Sequence, residues 1–502
     1  MSTKTKTKMD FTEGKMFYKF FLFVLPIIGM SLLNCAYNAA DMMILGLSKD
    51  KNAVGAVGTT GQFVGLIANL FVGFSVGVNV VVARCIGAND EEGTSRCVHT
   101  SIPVALILGV ICSVCGILVA RSVLAWMGVQ GDVLELAVRY VCIYFLGTPF
   151  NALYLYLSSV CRANGDSKTP LYIGVFAGLL NVGLNALFIL GFQLSVEGVA
   201  IATVLSQLFS AIVIFIKQVK VNDWTKISFR KIKVHIQSVK EIIAVGFPSA
   251  VQATISSLSI VIVQTGVLTV NKMYCFPDTD YQPVLAGVGV AQNLLSFLDT
   301  ALNAISVGMI AVAAQNVGAK KWGRVYQSVL CASIMVLALG IPVGGGLILF
   351  REPLFALYGL GEGVSETLRG MAFDSALTLL ICEGAFYCLC GFMYIGTGLL
   401  RSVGKSTTAM VIALVGAILF RILWILFIFP LKPTLVMAYA CYPITWLLTT
   451  VVLAIVCSIV LSKKRKEQKD SEEEIKQDVN ESINEETNVE TNEETQDLSA
   501  IV

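Results

Sequence analysis

The sequence predicts an all-α integral membrane protein with twelve transmembrane helices, arranged as two six-helix bundles related by an internal repeat. Three observations lead there. Of the 502 residues, 56% are hydrophobic and only 14% charged, against about 45–50% apolar and about 25% charged in soluble domains. Apolar runs recur along the chain at lengths near the ~20 residues that cross a bilayer. Landmarks of the first half return in the second. The net charge of +2 leaves no global basic field, so no nucleic-acid partner is expected. The 14 cysteines fall mostly inside apolar runs, where Cys acts as a small hydrophobe, and their spacing gives neither a disulfide framework nor a metal cluster.

Taken in order, the first-half spans are expected at 17–47, 54–83, 98–118, 134–159, 171–192 and 196–216. Those of the second half are expected at 239–270, 284–314, 326–350, 371–400, 407–429 and 435–461. The first run exceeds a signal-peptide core and carries Asn and Asp, so it reads as a retained helix. The chain then divides into an N-terminal segment 1–16, an N-lobe 17–220, a basic linker 221–238, a C-lobe 239–461 and a tail 462–502. Lys and Arg gather in the N-terminal segment and in the loops after even-numbered spans, including Arg84, Arg96, Arg162, Lys168, the run 217–240, Lys320, Lys321, Arg324, Arg401 and Lys405. The positive-inside rule therefore places both termini in the cytoplasm. In the linker, Ile227, Phe229, Ile232, Val234 and Ile236 alternate with basic residues, which fits a segment lying on an anionic leaflet or a solvated connector. The tail, rich in Glu, Asn and Thr and free of aromatics, is expected to be disordered.

The repeat is read from paired landmarks. Pro26 and Pro248, each early in a first span of its half, lie 222 positions apart (26 to 248). Gly87, in Ile86-Gly87-Ala88, and Gly318, in Val317-Gly318-Ala319, lie 231 apart (87 to 318). Arg162 and Arg401 follow the fourth span of each half, 239 apart (162 to 401). Gly61, Gly65, Asn69, Gly73 and Gly77 form a small-residue stripe on the second span, with Gln292, Ser296, Thr300, Ala304 and Gly308 at the matching positions. Such stripes admit close helix approach. Two bundles in parallel repeat enclose a central cavity, which is transporter architecture.

An ionisable side chain within a span costs about 2.5–3.5 kcal/mol on insertion scales and so faces a cavity or a partner. Asp41 stands out in the outer half of the first span, with Asn38 and Asn34 on the same helix face. Asn181 and Asn185, four apart in the fifth span, and Thr203, early in the sixth, reach a similar depth. Oxygens around one carboxylate suit a proton or a small hard cation; the plainer alternative is an Asp quenched by helix-gluing hydrogen bonds. The second bundle offers Asp299 mid-span, Asp374 near a span end, and Glu383 and Arg421 at comparable depth, where a bracing ion pair is expected. Pro26 and Pro248 each remove one helical hydrogen bond and are candidate kinks, mobile or static. Gly73-Phe74-Ser75-Val76-Gly77 matches a nucleophile elbow but lies inside an apolar helix, and no P-loop or zinc motif occurs. No enzymatic activity, cofactor or resident metal is expected.

These residues resemble those of the multidrug and toxic-compound extrusion (MATE) family. The resemblance rests on the stretch from Pro26 to Asp41-Met42-Met43-Ile44-Leu45-Gly46, the Arg84 to Ala88 loop, and Arg162-Ala163-Asn164-Gly165-Asp166-Ser167-Lys168-Thr169-Pro170. Leu180-Asn181 to Asn185, Gly198 to Thr203, and Gln315-Asn316-Val317-Gly318-Ala319 complete it. It implies a two-lobed, monomeric antiporter of the cell membrane that exports amphipathic organic cations in exchange for H⁺ or Na⁺. Asp41 then inherits the coupling role, with Asn181, Asn185 and Thr203 as polar partners. Position 185 is often Asp in the family and is Asn here, and no acid occurs in 250–270, so the C-lobe cation site seen in some members looks incomplete. Asn34, Tyr37, Asn38 and Gln62 are expected to line the substrate cavity, and Pro26 to bend during transport. Two other readings stay open: a lipid-linked glycan flippase, which would favour a basic cavity, and a non-transporting receptor or scaffold working through its tail.

Overall fold

The computed structural model describes residues 8–48, 50, 52–273, 281–468 and 470, and among them there is no β-strand. The first half folds as α1 (Met16–Leu45), α2 (Ala53–Gly87), α3 (Glu91–Trp126), α4 (Gly131–Leu146), α5 (Thr148–Ala163), α6 (Lys168–Ala186) and α7 (Val196–Lys220). The second half contains α8 (Ile236–Met273), α9 (Pro283–Gly318), α10 (Trp322–Leu349), the short α11 (Arg351–Leu357), α12 (Glu366–Cys382) and α13 (Tyr387–Ser402). It ends with α14 (Ser406–Leu431) and α15 (Leu435–Gln468). Eleven segments, with α12 and α13 counted as one, are long and apolar enough to cross a bilayer, and the bent pair α4–α5 makes the twelfth. Lys49, Lys51 and the tail from 471 onward lie outside the described residues. Among the described residues, one compact unit runs to Leu453 and a second begins at Ala454.

Local chemistry sets several boundaries. The third span begins well before its apolar run because the Asp90 carboxylate accepts from the Gly93 N–H at 2.7 Å, and Glu91 and Glu92 suit the positive end of the helix. The fourth span, expected as one run, is bent by 47°. Pro149 in the first turn of α5 has no N–H to continue the ladder of α4. The Thr148 hydroxyl then donates to Phe145 O at 2.8 Å and to Gly109 O at 3.1 Å, fixing the corner against α3. Pro26 and Pro248, by contrast, sit inside α1 and α8 without interrupting either helix.

The two halves meet along α1, α2, α8 and α9, and the contacts themselves repeat. Asn69 Nδ2 on α2 donates to Ser257 Oγ on α8 at 2.9 Å, while Thr300 Oγ1 on α9 meets Cys35 Sγ on α1 at 3.6 Å. The offsets 231 and 222 carry the first pair onto the second (69 to 300, 35 to 257). Near the far end of the seam, a Cβ on Gly87 would lie 1.9 Å from Gln315 O, and one on Gly318 would lie 2.1 Å from Arg84 O. These again are equivalent pairs (87 to 318, 84 to 315). The side chains of the same two residues cap the opposite half. Arg84 donates to Ser402 O at 2.6 Å, and Gln315 Nε2 donates to Ala163 O at 2.6 Å, each reaching the end of the other half's fourth span. The sequence repeat is thus a structural near-twofold between the C-terminal ends of α2 and α9.

The small-residue stripe of α2 is used over only part of its length. Cβ atoms on Gly73 and Gly77 would lie 2.2 Å from Ala250 Cα and 2.4 Å from Ile242 O, whereas Gly55, Gly58, Gly61 and Gly65 have nothing within 4 Å. The halves are therefore in backbone contact at one end and splayed at the other. The N-terminal segment reinforces the closed end. Phe11 is fully buried, with its ring 4.9 Å from that of Phe23. Its N–H donates to Gln315 Oε1 and its carbonyl accepts from Arg324 at 2.9 Å. Lys8 bridges to Asp166 at 2.7 Å in the α5–α6 loop.

Gly87→Leu or Gly318→Leu is expected to force the seam apart and destabilise the purified protein by ~1–3 kcal/mol or more. Gly61→Ala and Gly65→Ala should leave the melting temperature unchanged or slightly higher, because their Cβ atoms enter open space. Burial pushes the Asp166 carboxyl up, but hydrogen bonds from Lys8 and Thr169 outweigh it and hold the group below the usual carboxylate range. Stabilisation from a depressed carboxyl is fully present at neutral pH and disappears only as pH falls below about 4. Melting temperatures measured against pH should therefore show Asp166→Asn less stable than wild type from pH ~8 to ~5, with the difference closing below that.

Candidate functional site

At the splayed end, α1, α6 and α7 bring four polar side chains into one chain of hydrogen bonds. Asn185 Nδ2 donates to Asp41 Oδ1 at 2.6 Å, a short charge-assisted bond. The same amide also donates to Asn181 Oδ1 at 3.3 Å. Asn181 Nδ2 reaches Thr203 Oγ1 at 3.5 Å, and Thr203 donates to Val199 O at 2.9 Å. The spacing i, i+4 of the two asparagines stacks them on one face of α6. Asn185 is fully buried, and its Oδ1 has no hydrogen-bond partner. The donor that the network presents to Asp41 is the Asn185 amide, a partner that suits a carboxylate.

Tyr37 fixes α1 in place one turn before Asp41. Its ring lies over Gly178, where a Cβ would fall 2.0 Å from the aromatic carbons, and its hydroxyl donates to Val175 O at 3.2 Å. Tyr37 thus serves the α1–α6 contact rather than standing free in a cavity. Asn34, Asn38 and Gln62 are exposed and make no hydrogen bond with the described residues, so the structure does not join them to the Asp41 network. Tyr140 of α4, which the sequence did not single out, is buried within electrostatic reach of the Asp41 carboxylate.

The second half holds a separate polar cluster. Asp299 Oδ1 accepts from Tyr394 Oη at 2.8 Å. Arg421 donates to Thr445 Oγ1 at 3.2 Å and Ser259 Oγ at 3.4 Å, and its guanidinium lies 4.0 Å from the centre of the Tyr442 ring, a cation–π arrangement. The expected Glu383–Arg421 ion pair is not formed: the hydroxyls and the ring satisfy the guanidinium, and Glu383 sits buried at the end of α12. Asp374 is exposed, as its position near a span end implied. Among the described residues no group of His, Cys, Asp and Glu is placed to hold a metal ion. Ser75, the elbow-like serine, donates to Val72 O within its own helix, and His99 pins the inter-half linker by accepting from the Ser228 N–H at 2.9 Å.

Comparison with known proteins agrees with this architecture. The MatE family model matches residues 26–187 and 282–427. The multidrug export protein MepA of Staphylococcus aureus (strain N315) is 25% identical over 421 residues, 83% of this chain and 88% of the relative. A MOP superfamily transporter from Pyrococcus furiosus superposes with a TM-score of 0.83 at 20% identity, covering 93% of this chain and all of that one. An outward-facing multidrug resistance MATE family transporter superposes with a TM-score of 0.81 at 20% identity, with the same 93% coverage of this chain. With well over half of its length matched by the family model and the twelve-span repeat in place, the chain belongs to the MatE family of multi-pass membrane transporters.

Proposed function

We propose that this protein is a secondary-active multidrug exporter, a monomer of the cell membrane with both termini cytoplasmic, that exchanges amphipathic organic cations for H⁺ or Na⁺ by alternating access. The observation that carries this reading is the chain Asp41–Asn185–Asn181–Thr203 at the splayed end of the seam. Asp41 is the coupling carboxylate. In its ionised form it accepts from Asn185, as described above. A proton on Asp41 turns one oxygen into a donor, and the unpartnered Oδ1 of Asn185 supplies the acceptor once that amide rotates about its last torsion. Na⁺ instead draws on the carboxylate and the amide and hydroxyl oxygens of the same four residues, the hard-donor set such a cation prefers. Either event alters the contact between α1 and α6, and Tyr37 transmits it along α1. Pro26 supplies the point at which α1 yields, since one ladder bond is already missing there.

Substrate leaves between the diverging helices, where Asn34, Asn38 and Gln62 are exposed and apolar walls tolerate many shapes. Relatives named for multidrug export support the same substrate class. The flippase alternative calls for a basic cavity, and Arg421, the clearest cation deep within a span, is instead enclosed by Ser259, Thr445 and Tyr442.

Transport of a fluorescent organic cation in vesicles, driven by an imposed pH or Na⁺ gradient, tests the coupling. Asp41→Asn is expected to insert normally and lose gradient-driven export, and export at the wild-type rate would sink the mechanism. Asn185→Asp replaces the donor by a second carboxylate, and two like charges in contact demand an additional cation. In the same assay its dependence on H⁺ or Na⁺ concentration should steepen, with a Hill slope approaching ~2 against ~1 for wild type.

A further inference from the structure

We infer that the linker between α7 and α8, together with the first turns of α3, forms a binding surface for anionic phospholipid headgroups. The linker is not a loose connector. The Ser228 N–H donates to His99 Nε2 at 2.9 Å, Thr100 Oγ1 donates to Lys233 O at 3.3 Å, and the same hydroxyl accepts from the His235 N–H at 3.3 Å. Ile227 is buried, and its N–H donates to Gln218 O at 3.0 Å. The strap is thus held across α3 by its backbone and by buried Ile227, while Phe229, with one side of its ring 5.6 Å from that of Phe215, keeps most of its surface open to another partner. α3 spans the membrane, so a strap fixed to its first turns lies at membrane-boundary depth.

What those side chains present is amphipathic. Phe229, Val234 and Ile236 are 68%, 51% and 71% exposed, a use of large apolar groups that a solvated connector does not call for. Beside them a cleft of about 530 Å³ is lined by Arg96, Arg230, Lys231 and Lys233 together with Glu91 and Glu92, so cations outnumber acids there. Glu92 faces Arg96 at 3.8 Å. Arg230, Lys231 and Lys233 form no ion pair among the described residues, and from Trp224 to Lys240 the sequence has five basic residues and no acidic one. A phosphodiester carries the charge this cluster lacks, and acyl chains supply the apolar surface that Phe229, Val234 and Ile236 seek. Each cation near an anionic surface favours association by about fivefold. Inorganic phosphate shares the charge but not the chains, so the exposed apolar residues favour the lipid.

The test uses the full chain, reconstituted in vesicles of equal parts phosphatidylcholine and phosphatidylglycerol, extracted into detergent, and assayed by mass spectrometry for retained lipid. Wild type is expected to retain phosphatidylglycerol in excess. Arg230→Gln/Lys231→Gln/Lys233→Gln, at exposed positions and with an unchanged melting temperature, should lose that excess by ~5-fold or more. Phe229→Ser, which keeps every charge, should weaken retention of the same lipid. Equal retention of both lipids by wild type, or an unaltered excess in the triple variant, overturns the proposal. Full displacement of the lipid by millimolar inorganic phosphate, with Phe229→Ser behaving as wild type, would assign the cleft to a free anion and overturn it as well.

Discussion

Two helix backbones come within touching distance only where at least one of them lacks a Cβ at the contact. This chain meets that condition twice at the same seam, with Gly87 against Gln315 O and Gly318 against Arg84 O. The near-symmetric pair fixes the C-terminal ends of α2 and α9 together, and Arg84 and Gln315 then reach past the seam to cap the fourth spans. From that junction α2 runs against α8 through Gly77 and Gly73, then leaves it. Beyond Asn69 the small residues meet nothing, and the halves diverge. The splayed end that exposes Asn34, Asn38 and Gln62, and the position of Asp41 there, follow from where close approach stops.

The scaffold repeats, but the chemistry does not. Offsets that carry Gly87 onto Gly318 and Cys35 onto Ser257 carry Asp41 onto Val263, a buried apolar residue, and Asp299 back onto Ala68. The Asp41 network of the first half and the Asp299 and Arg421 groups of the second have no counterparts across the repeat. In the first half a carboxylate is fed by an amide donor; in the second a carboxylate is held by a tyrosine and a guanidinium by hydroxyls and a ring. Contacts between the halves are under a shared geometric requirement and are kept in pairs. Side chains inside one bundle are free of that requirement and have diverged.

The same distinction explains what the sequence made legible. Span number, the repeat offsets and the depth of Asp41, Asn181, Asn185 and Thr203 follow from one-dimensional patterns, hydropathy and helical spacing, and the structure assembles those four as a network. Depth alone does not fix rotation about a helix axis. Glu383 and Arg421 share a level yet do not pair, and Tyr37 turns into α6 while Asn38, one residue on, faces outward. Tyr140 gave no signal because an aromatic in an apolar run looks like core. Phe11 escaped notice for the opposite reason: a lone aromatic in a polar, basic segment has no periodicity, and its burial depends on groups some three hundred residues away. The corner at Pro149 was written in Gly147-Thr148-Pro149, but its 47° angle depends on the contact with α3.

The glycine seam also leaves little room for water at the closed end. Side chains packed across a helix interface leave gaps that fluctuate open and admit water in single file, and such a file conducts protons. A backbone carbonyl resting on a Cα leaves no such gap. At the closed end the space that larger residues would have filled imperfectly is instead absent, and the buried ring of Phe11 closes the edge from the terminus side. A carrier that must move solutes without letting the membrane potential leak through its own interior is best sealed by its smallest residues.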